Sequence, residues 1–468
     1  MKVLISEPTV KNPIRNSFNN KRTETGIRLS SLYLAGYVRD RYNGLEFKIQ
    51  ENRLRNDENI DFSVNDEIAD SDIVAIGCVS SEFPDAYDIM RRAKEAGKIT
   101  IMGGIFPTSN PELVLSTGVV DYVIRNEGEV TFLELLKALN EKGDPTKVKG
   151  ISFIESFKGI THNPSMPLLA NLDDVKPAYD LISLNEYAKY ERGPIYTARG
   201  CLRKCSFCSI PRHWQNSYRE SSIDNILEKI KLYADAGFDG VNFKDEAITN
   251  NRERAGKIFE KLSGNRVRNS NGDDLIYKIK SRIDGFDSEL LGLMRKAGVE
   301  VIQVGIESTS DEKLRLMQKE IDFNQIRRQT NAILDSGIKL NVILILGYEG
   351  QTAGDLKRDM DFAYELGSKP NVVTYLTFNS PHPGSNLWLS APRNGLQILS
   401  TDLNNYNHKR IVAIPTSLGD PVTAIGLLKN AYMTTRKEIG MECHNPELDL
   451  GYLFKENPDL KHKKSLIF

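Results

Sequence analysis

Cysteine, tryptophan and histidine are scarce in this chain of 468 residues, which has five, two and six of them respectively. So few cysteines exclude a disulfide-rich secreted scaffold. No run of 18 apolar residues occurs, so we expect no membrane span. The formal net charge is −1, which gives no support to a nucleic-acid partner. The apolar run at the start is too short for a signal peptide, and we expect a cytoplasmic protein.

Three of the five cysteines lie within eight positions, in the stretch Arg199-Gly-Cys201-Leu-Arg-Lys-Cys205-Ser-Phe-Cys208. This CxxxCxxC spacing lets three thiolates from one loop bind one metal centre. A cubane iron–sulfur cluster held in this way keeps one iron without a protein ligand, free to bind substrate or cofactor. Structural zinc usually takes four protein ligands, and no second CxxC pair is present. The spacing favours a [4Fe-4S] cluster over zinc or unreactive thiols.

Strand and helix patterns alternate along the first part of the chain. Buried strands are predicted at 2–6, 73–77, 99–102 and 122–124, and helices at 30–40, 86–96, 111–116 and 130–140. This order predicts an α/β fold with a doubly wound parallel sheet. Ligands of such sheets lie at the carboxyl ends of the strands, here in loops 7–9, 77–83, 103–108 and 125–129. A linker containing a hairpin-like piece at 150–160 is predicted to follow.

Six further strands, separated by helices, are predicted in the second part, at 195–197, 240–244, 276–283, 301–305, 339–346 and 372–378. Six such units form an open barrel rather than a closed one of eight, and active groups in barrels collect at the carboxyl ends of strands. We therefore place the cysteines, directly after the first of these strands, at the barrel mouth. The predicted domains are 1–145, a linker 146–190, a partial (β/α)6 barrel 191–385 and a small helical C-terminal cap 386–468.

The cysteine motif, with Phe207 before its last cysteine, resembles the radical S-adenosylmethionine (SAM) superfamily. Segments 26–36, Gly103-Gly-Ile-Phe-Pro-Thr108 and Asp121-Tyr-Val-Ile-Arg-Asn-Glu-Gly-Glu129 resemble the Rossmann-like cobalamin-binding domain of its cobalamin-dependent branch. The resemblance covers about residues 2–390, with its motifs in the same order. It implies three cofactors, namely a [4Fe-4S] cluster on Cys201, Cys205 and Cys208, SAM, and cobalamin as methylcobalamin.

The resemblance also assigns SAM-binding residues at the strand ends. It places Asp245 and Glu246 near the SAM amino group, Arg282 and Glu307 near its carboxylate and ribose, and Phe207 beside SAM and the cluster. The alternatives are a solvated strand end for the first pair and a structural Arg–Glu pair for the second. One departure from the family is Tyr348-Glu-Gly-Gln-Thr352, which stands where Pro-Gly-Glu-Thr is usual.

Cobalamin would contact loops of the sheet domain. The residues implied are Cys78, Val79, Ser80, Ser81, Glu82, Gly103, Gly104, Phe106, Thr108, Asn126, Glu127 and Gly128. Ordinary tight turns are the alternative for the small residues, and Cys78 is more typical of a buried apolar residue. No histidine precedes His162, so a histidine ligand to cobalt cannot come from this domain. Members of the cobalamin-dependent branch commonly work without a histidine ligand to cobalt.

The implied activity is that of a radical SAM C-methyltransferase. In the family, a 5′-deoxyadenosyl radical removes hydrogen from an unactivated carbon, which then receives the methyl group of methylcobalamin, and an external ferredoxin or flavodoxin supplies electrons. The substrate we favour is a side chain of a protein or peptide, for example in a methanogen enzyme such as methyl-coenzyme M reductase. The alternatives are methylation or cyclisation in small-metabolite, tetrapyrrole or lipid biosynthesis, and a non-catalytic iron–sulfur or corrinoid carrier.

Two other expectations complete the sequence analysis. A methylthiotransferase acting on tRNA is disfavoured because only Cys78 precedes Cys201. Candidate substrate-contacting residues are polar or aromatic side chains of the last strands and the cap: Tyr375, Asn379, His382, Tyr406, His408, Tyr432, Cys443 and His444.

Overall fold

The structure is a computed structural model, and it describes residues 1–9, 26–50, 60–189, 191–383, 385–406, 410–438 and 451–461. These residues form two compact units. The first comprises the described residues up to 200 together with 209–238, and the second comprises 201–208 and the described residues from 239 onward. The sequence analysis instead assigns 191–385 to one domain, and its boundaries stay predictions.

The first unit is built around a seven-stranded sheet. Its strands are β1 Lys2–Ser6, β2 Glu46–Gln50, β3 Ile73–Gly77, β4 Ile99–Gly103, β5 Tyr122–Ile124, β6 Ile151–Glu155 and β7 Gly159–His162. Their order is β2-β1-β3-β4-β5-β6-β7. The first five pair in parallel and the last two are antiparallel. The predicted parallel sheet is therefore present, and the hairpin in the expected linker extends it.

Helices cover this sheet because each has an apolar stripe. In α3, for example, Ala86, Ile89, Met90 and Ala93 are buried at the spacing of one helix face. The helices are α1 Leu29–Arg39, α2 Ile60–Ala69, α3 Phe83–Glu95, α4 Ile105–Ser109, α5 Pro111–Ser116, α6 Glu129–Asn140 and α7 Leu184–Ala188. Strand β2 and helices α2, α4 and α7 were not predicted from the sequence.

The first unit also contains the segments that flank the cysteine motif. They are β8 Gly193–Ile195, β9 Ala198–Gly200, α8 Ile210–His213, β10 Tyr218–Glu220 and α9 Ile223–Asp235. Strands β9 and β10 pair antiparallel, with Gly200 opposite Tyr218. The cysteines therefore lie in the connection between these two strands. Strand β9 separates them from β8, so the prediction that they directly follow the first barrel strand is wrong.

Five parallel strands form the sheet of the second unit. They are β11 Gly240–Phe243, β12 Ile276–Arg282, β13 Val299–Glu307, β14 Lys339–Leu346 and β15 Val372–Phe378, and they lie side by side in this order. All neighbours pair in parallel, so their carboxyl ends share one edge. All five correspond to predicted strands, two with the predicted bounds.

The helices between these strands are α10 Arg252–Gly264, α11 Ser288–Ala297, α12 Asp311–Leu316, α13 Phe323–Asp335 and α14 Ala353–Gly367. Beyond β15 lie α15 Asn386–Ser390, β16 Leu396–Ile398, β17 Ala413–Pro415, α16 Pro421–Glu438, α17 Gly451–Glu456 and α18 Pro458–Lys461. The expected helical cap thus also contains a short antiparallel pair, β16 and β17. No helix in the described ranges is long and apolar enough to cross a membrane.

Candidate functional site

The cysteine loop, residues 201–208, is anchored in the second unit through Ser206. Its N–H donates to the carbonyl of Met317 at 3.1 Å, and its carbonyl accepts from Leu387 N–H at 2.9 Å. Its hydroxyl donates to the carbonyl of Leu316 at 3.1 Å and shares a 2.6 Å hydrogen bond with the hydroxyl of Tyr348. Three separate segments of the second unit thus hold the middle of the loop.

Phe207 contributes an apolar anchor to the same loop. It packs against a buried cluster that includes Met317, Tyr348 and Leu387. Phe207 is partly buried, so its packing contributes less than the ~1.5–3 kcal/mol of a fully buried phenylalanine. The structure therefore gives the predicted cofactor residue Phe207 a packing role, and its contact with SAM stays a prediction.

None of the three cysteines of the motif forms a disulfide, and all three are partly exposed. Sγ of Cys205 lies 3.7 Å from Nη1 of Arg282, and Sγ of Cys201 lies 3.9 Å from Oδ1 of Asn250. Burial raises the pKa of the Cys205 thiol, while the positive charges of Lys319 and Arg282 act to lower it. The two cations therefore offset only part of the effect of burial on the thiolate form that binds metal.

The chemistry of these donors fits an iron–sulfur cluster. Three thiols on one irregular loop, with no disulfide between them, match the ligands such clusters use. Among the described residues, no three cysteine, histidine or carboxylate side chains are gathered closely enough to hold a metal ion. The fit therefore rests on the donor set and its charged surroundings, and the ligand assignment stays a prediction.

Arg282 and Glu307 end neighbouring strands but do not form the direct pair considered as an alternative. Arg282 donates to both carboxylate oxygens of Asp284, at 2.9 and 3.0 Å, and to the carbonyl of Lys319. Glu307 instead accepts from Nζ of Lys319 at 3.1 Å. Lys319 thus connects the two predicted SAM residues, through its backbone on one side and its ammonium on the other.

The backbone at Glu307 is unusual for a glutamate. Its φ is +69°, in the left-handed region, and the pairing of β13 with β14 shifts register between Gly305 and Glu307. A Cβ on Gly305 would lie 2.0 Å from Oε1 of Glu307, so only glycine leaves room for this carboxylate. Such strain is typically worth about 1–3 kcal/mol and is concentrated at functional sites. The strand end is therefore shaped to hold one carboxylate in place.

Asp245 and Glu246 lie just beyond the carboxyl end of β11. Asp245 is only 2% exposed, so it is not the solvated strand end that was the alternative. Glu246 is partly exposed and pairs with Nζ of Lys280 on the next strand at 3.5 Å. Their contact with the SAM amino group stays a prediction.

A cavity of about 440 Å³ opens beside the cysteine loop. It is lined by Leu202, Arg203, Thr249, Asn250, Arg252, Arg282, Asp284, Gly285, Phe286 and Asp287. Its guanidinium and carboxylate groups pair with one another, Arg252 with Asp287 and Arg282 with Asp284. Of the four predicted SAM side chains, Arg282 lines this cavity.

The loops after β13 and β14 are joined by the buried carboxylate of Asp359. It accepts from the N–H of Thr309 at 2.6 Å, from the hydroxyls of Ser308 and Thr309, and from Nε2 of Gln351 at 2.8 Å. Burial raises the pKa of Asp359 to about 6, although the hydrogen bonds from Thr309 and Ser308 act to lower it. In the segment that departs from Pro-Gly-Glu-Thr, Gln351 thus binds Asp359 and Tyr348 binds Ser206 of the cysteine loop.

In the first unit, the loop after β3 contains the predicted cobalamin residues 78–82. Cys78 is 2% exposed, with Sγ 4.0 Å from Sδ of Met102, so it packs as an apolar residue. Glu82 is buried, forms an ion pair with Arg28, and accepts from Val79 N–H at 3.1 Å. Arg28 also donates to the carbonyl of Gly77. Among these five residues, Val79 is the exposed one, and Ser81 is partly exposed.

The loop after β4 lies against the loop after β3. Gly104 has a φ of +95°, and a Cβ there would lie 2.9 Å from both N and O of Cys78. Phe106 is 1% exposed and packs on Phe83 with ring centroids 4.7 Å apart, so it belongs to the core. Gly104 is therefore needed for backbone packing between the two loops. This role is close to the ordinary tight turn that was the alternative to a cobalamin contact.

The loop after β5 is held by a buried ionic network. Glu127 accepts from Arg199 at 2.7 Å, from Arg219 at 2.9 Å and from Leu169 N–H at 2.7 Å, and Arg199 also pairs with Glu129 at 2.8 Å. Burial acts to raise the pKa of Glu127, but the two arginines and the backbone donor together hold it below its usual value. The carboxylate that we predicted to contact cobalamin is thus committed to this network.

The surface that these loops leave open fits a ligand with polar side groups. Gly103, Thr108, Asn126 and Gly128 are partly exposed, and Thr108 Oγ1 accepts from Asn126 N–H at 2.8 Å. Beside them, Oγ of Ser109 is buried without a hydrogen-bond partner in the described part of the chain. Sequence analysis missed Ser109, because one serine after a Pro-Thr pair has no distinctive pattern.

The substrate candidates divide by exposure. Tyr375 is 41% exposed and remains a candidate. Asn379 donates to the carbonyl of Gly347, Tyr406 donates to the carbonyl of Ser400, and Tyr432 packs on Phe378, so these three have structural roles. The ring of His382 lies 6.2 Å from that of Tyr406. His408, Cys443 and His444 lie outside the described residues.

Comparison with known families and proteins identifies two domains in this chain. Residues 195–363 match the Radical SAM superfamily model, and residues 19–136 match the B12 binding domain model. An uncharacterised methyltransferase of Pyrococcus horikoshii is 29% identical over 408 residues, covering 85% of this chain and 84% of the relative. An anaerobic magnesium-protoporphyrin IX monomethyl ester cyclase of Rubrivivax gelatinosus is 26% identical, covering 82% and 69%.

A solved structure confirms the fold. The radical SAM methyltransferase TsrM of Kitasatospora setae, determined with cobalamin and a [4Fe-4S] cluster bound, has a TM-score of 0.73 at 16% identity, covering 94% of this chain and 88% of that one. The predicted cofactors, a [4Fe-4S] cluster with SAM and a cobalamin, are confirmed by the two domain matches. Residues 19–136 and 195–363 thus give this chain a B12-binding domain followed by a radical SAM domain, the two domains of a cobalamin-dependent radical SAM enzyme.

Proposed function

We propose that this enzyme transfers a methyl group to an unactivated carbon of its substrate by radical chemistry. The observation that carries the proposal is that the cysteine loop is held beside Arg282 and Lys319 in the second unit. When bound, the cofactors supply a 5′-deoxyadenosyl radical and a transferable methyl group. The protein's part is to bind, orient and exclude water.

Each predicted residue then has a defined task. Cys201, Cys205 and Cys208 hold the cluster, and Arg282 presents a fixed guanidinium for the SAM carboxylate. Asp245 and Glu246 offer carboxylates to its ammonium, and Glu307 accepts hydrogen bonds from its ribose. In the first unit, Val79, Ser81, Gly103, Thr108, Asn126 and Gly128 offer the accessible part of the cobalamin surface. Cys78, Ser80, Glu82, Gly104, Phe106 and Glu127 support those loops from within.

The substrate class is proposed more broadly. We retain a protein or peptide side chain as the first candidate and a small metabolite as the second. The relative named as a magnesium-protoporphyrin IX monomethyl ester cyclase favours ring closure as a second reaction type. Tyr375, exposed on β15, is the described candidate for contact with either substrate.

The test is anaerobic reconstitution with iron, sulfide and a cobalamin, with a chemical reductant in place of the ferredoxin or flavodoxin that we propose as donor. We expect about four irons and one cobalamin per chain, and release of 5′-deoxyadenosine from SAM. A Cys205→Ala variant should lose the bound iron and the release of 5′-deoxyadenosine, and it should keep the cobalamin. Cluster-loaded protein that makes no 5′-deoxyadenosine would refute the radical activity. A product heavier by one methylene group supports methylation, whereas ring closure gives a different mass change.

A further inference from the structure

We propose that Lys319 is a positioning residue of the cluster and SAM site, which fixes the Glu307 carboxylate and places a positive charge beside the cysteine loop. This inference deepens the proposed function and rests on it. It is carried by the contacts of the turn 316–320, which begins at the last residue of α12 and leads toward α13. The sequence offers no signal for Lys319, which is one lysine in a polar connection.

The turn is built to direct Lys319 inward. Gln318 and Glu320, on either side of it, both have a φ of +55° and are exposed, whereas Lys319 is only 3% exposed. Two left-handed residues that are not glycine in one turn are strained and persist only where surrounding contacts fix them. The strained backbone of the turn thus places a charged side chain in the interior. Burial of a charge is unfavourable unless that charge is paired.

The ammonium of Lys319 is paired at the strand end. Nζ donates to Oε1 of Glu307 at 3.1 Å and to the carbonyl of Gly305 at 3.1 Å. These contacts hold the Glu307 carboxylate over Gly305, in the space that a side chain at Gly305 would fill. Without the ammonium, Glu307 would be a buried carboxylate with a strained backbone and one fewer donor to fix its rotamer.

The backbone of the same turn holds the two other parts of the site. The carbonyl of Lys319 accepts from Arg282, and the carbonyls of Met317 and Leu316 accept from the N–H and hydroxyl of Ser206. At the end of the turn, Glu320 pairs with Arg203 of the cysteine loop at 2.7 Å. This turn thus contacts the cysteine loop, Arg282 and Glu307. A displacement of Lys319 would therefore change the positions of all three.

The charge of Lys319 has a consequence of its own. A cluster with thiolate ligands becomes more negative on reduction, so a nearby fixed cation stabilises the reduced state and raises the reduction potential. Lys319 is buried, so solvent screens its charge only weakly. A role in packing alone would leave the potential unchanged, which separates the two interpretations.

The experiment compares Lys319→Met with Lys319→Arg and with a matched control, Lys313→Met. Lys313 is also buried, at 1% exposure, but its Nζ lies 4.0 Å from Asp355 rather than at the cysteine loop. Each reconstituted protein is examined without substrate for iron content, for the cluster midpoint potential by EPR-monitored titration, and for SAM affinity. We expect Lys319→Met to have a more negative potential and roughly tenfold weaker SAM binding. We expect Lys319→Arg to recover most of both.

A wild-type potential and SAM affinity in Lys319→Met would overturn the proposal, and so would equal shifts in Lys313→Met. If Lys319→Met does not fold, Glu307→Gln tests the same ion pair. It removes the negative charge of Glu307, so the midpoint potential of the cluster should become more positive. An unmoved potential in that variant would also overturn it. A wild-type enzyme that binds the cluster and SAM but transfers no methyl group would defeat the proposed function and leave these comparisons valid.

Discussion

Arg199 and Glu127 form a buried ion pair, with Nη1 of the arginine 2.7 Å from Oε1 of the glutamate. Arg199 stands two residues before Cys201 in the chain, and Glu127 lies in the loop after β5. The guanidinium also holds Glu129, and its carbon lies 5.3 Å from the ring centroid of Tyr33. The residue that introduces the cysteine motif is therefore a central support of the B12-binding domain.

Replacing Arg199 with methionine should destabilise the first unit by about 3–5 kcal/mol, because it leaves two buried carboxylates with one fewer cation. Denaturant unfolding, followed by a signal from the first unit, measures the loss. The control is the triple variant Arg199→Met, Glu127→Gln, Glu129→Gln, which removes charge of both signs and should recover part of the stability. A single variant as stable as the wild type would contradict the structural role.

Replacing Cys201, Cys205 or Cys208 singly with serine should abolish or strongly reduce iron binding after anaerobic reconstitution. The reason is that a cluster with three protein ligands cannot lose one without losing an iron or its stability. Cys78→Ala is the matched control, since Cys78 is buried in the other unit and should retain full iron content. Iron and sulfide analysis, with the absorbance of the cluster, decides the outcome. A serine variant with full iron content would count against that ligand.

Replacing Gly104 with alanine should destabilise the protein by about 1–3 kcal/mol and weaken cobalamin binding, because the added Cβ meets the Cys78 backbone at 2.9 Å and the residue has φ +95°. Gly118→Ala is the control: its φ is +72°, but nothing lies within 4 Å of the added atom. Thermal unfolding and the absorbance of bound cobalamin are measured for both. Equal effects at the two sites would show that backbone strain alone, and not loop packing, matters.

Stability should fall as pH decreases from 6.5 toward 4, in part because of His213. Burial lowers the pKa of His213 to about 4, with the charge of Arg199 acting in the same direction and that of Glu127 against it. Between these values the unfolded chain binds a proton that the folded chain does not, so acid favours unfolding by up to about 3 kcal/mol. His213→Gln should show a shallower dependence of unfolding free energy on pH. Parallel curves for the two proteins would refute this assignment.

The sequence by itself determined the fold class, both cofactor domains and the cluster motif. Strand patterns of buried aliphatic residues depend on local spacing, which is why β1, β3, β5, β14 and β15 have their predicted bounds. The cysteine spacing is local in the same sense. Arg282 and Glu307 were assigned through the family resemblance, and they end β12 and β13 as the strand patterns indicated.

The tertiary structure alone decided which of these side chains are committed to other partners. Glu127 is bound by two arginines distant in the chain, Phe106 and Cys78 are buried, and Arg282 and Glu307 meet through Lys319 rather than directly. Such contacts depend on how distant segments fold against one another, and burial and pairing at a site are properties of that packing. A local pattern cannot encode them, since the same Asn-Glu-Gly-Glu loop could equally face a ligand or an arginine.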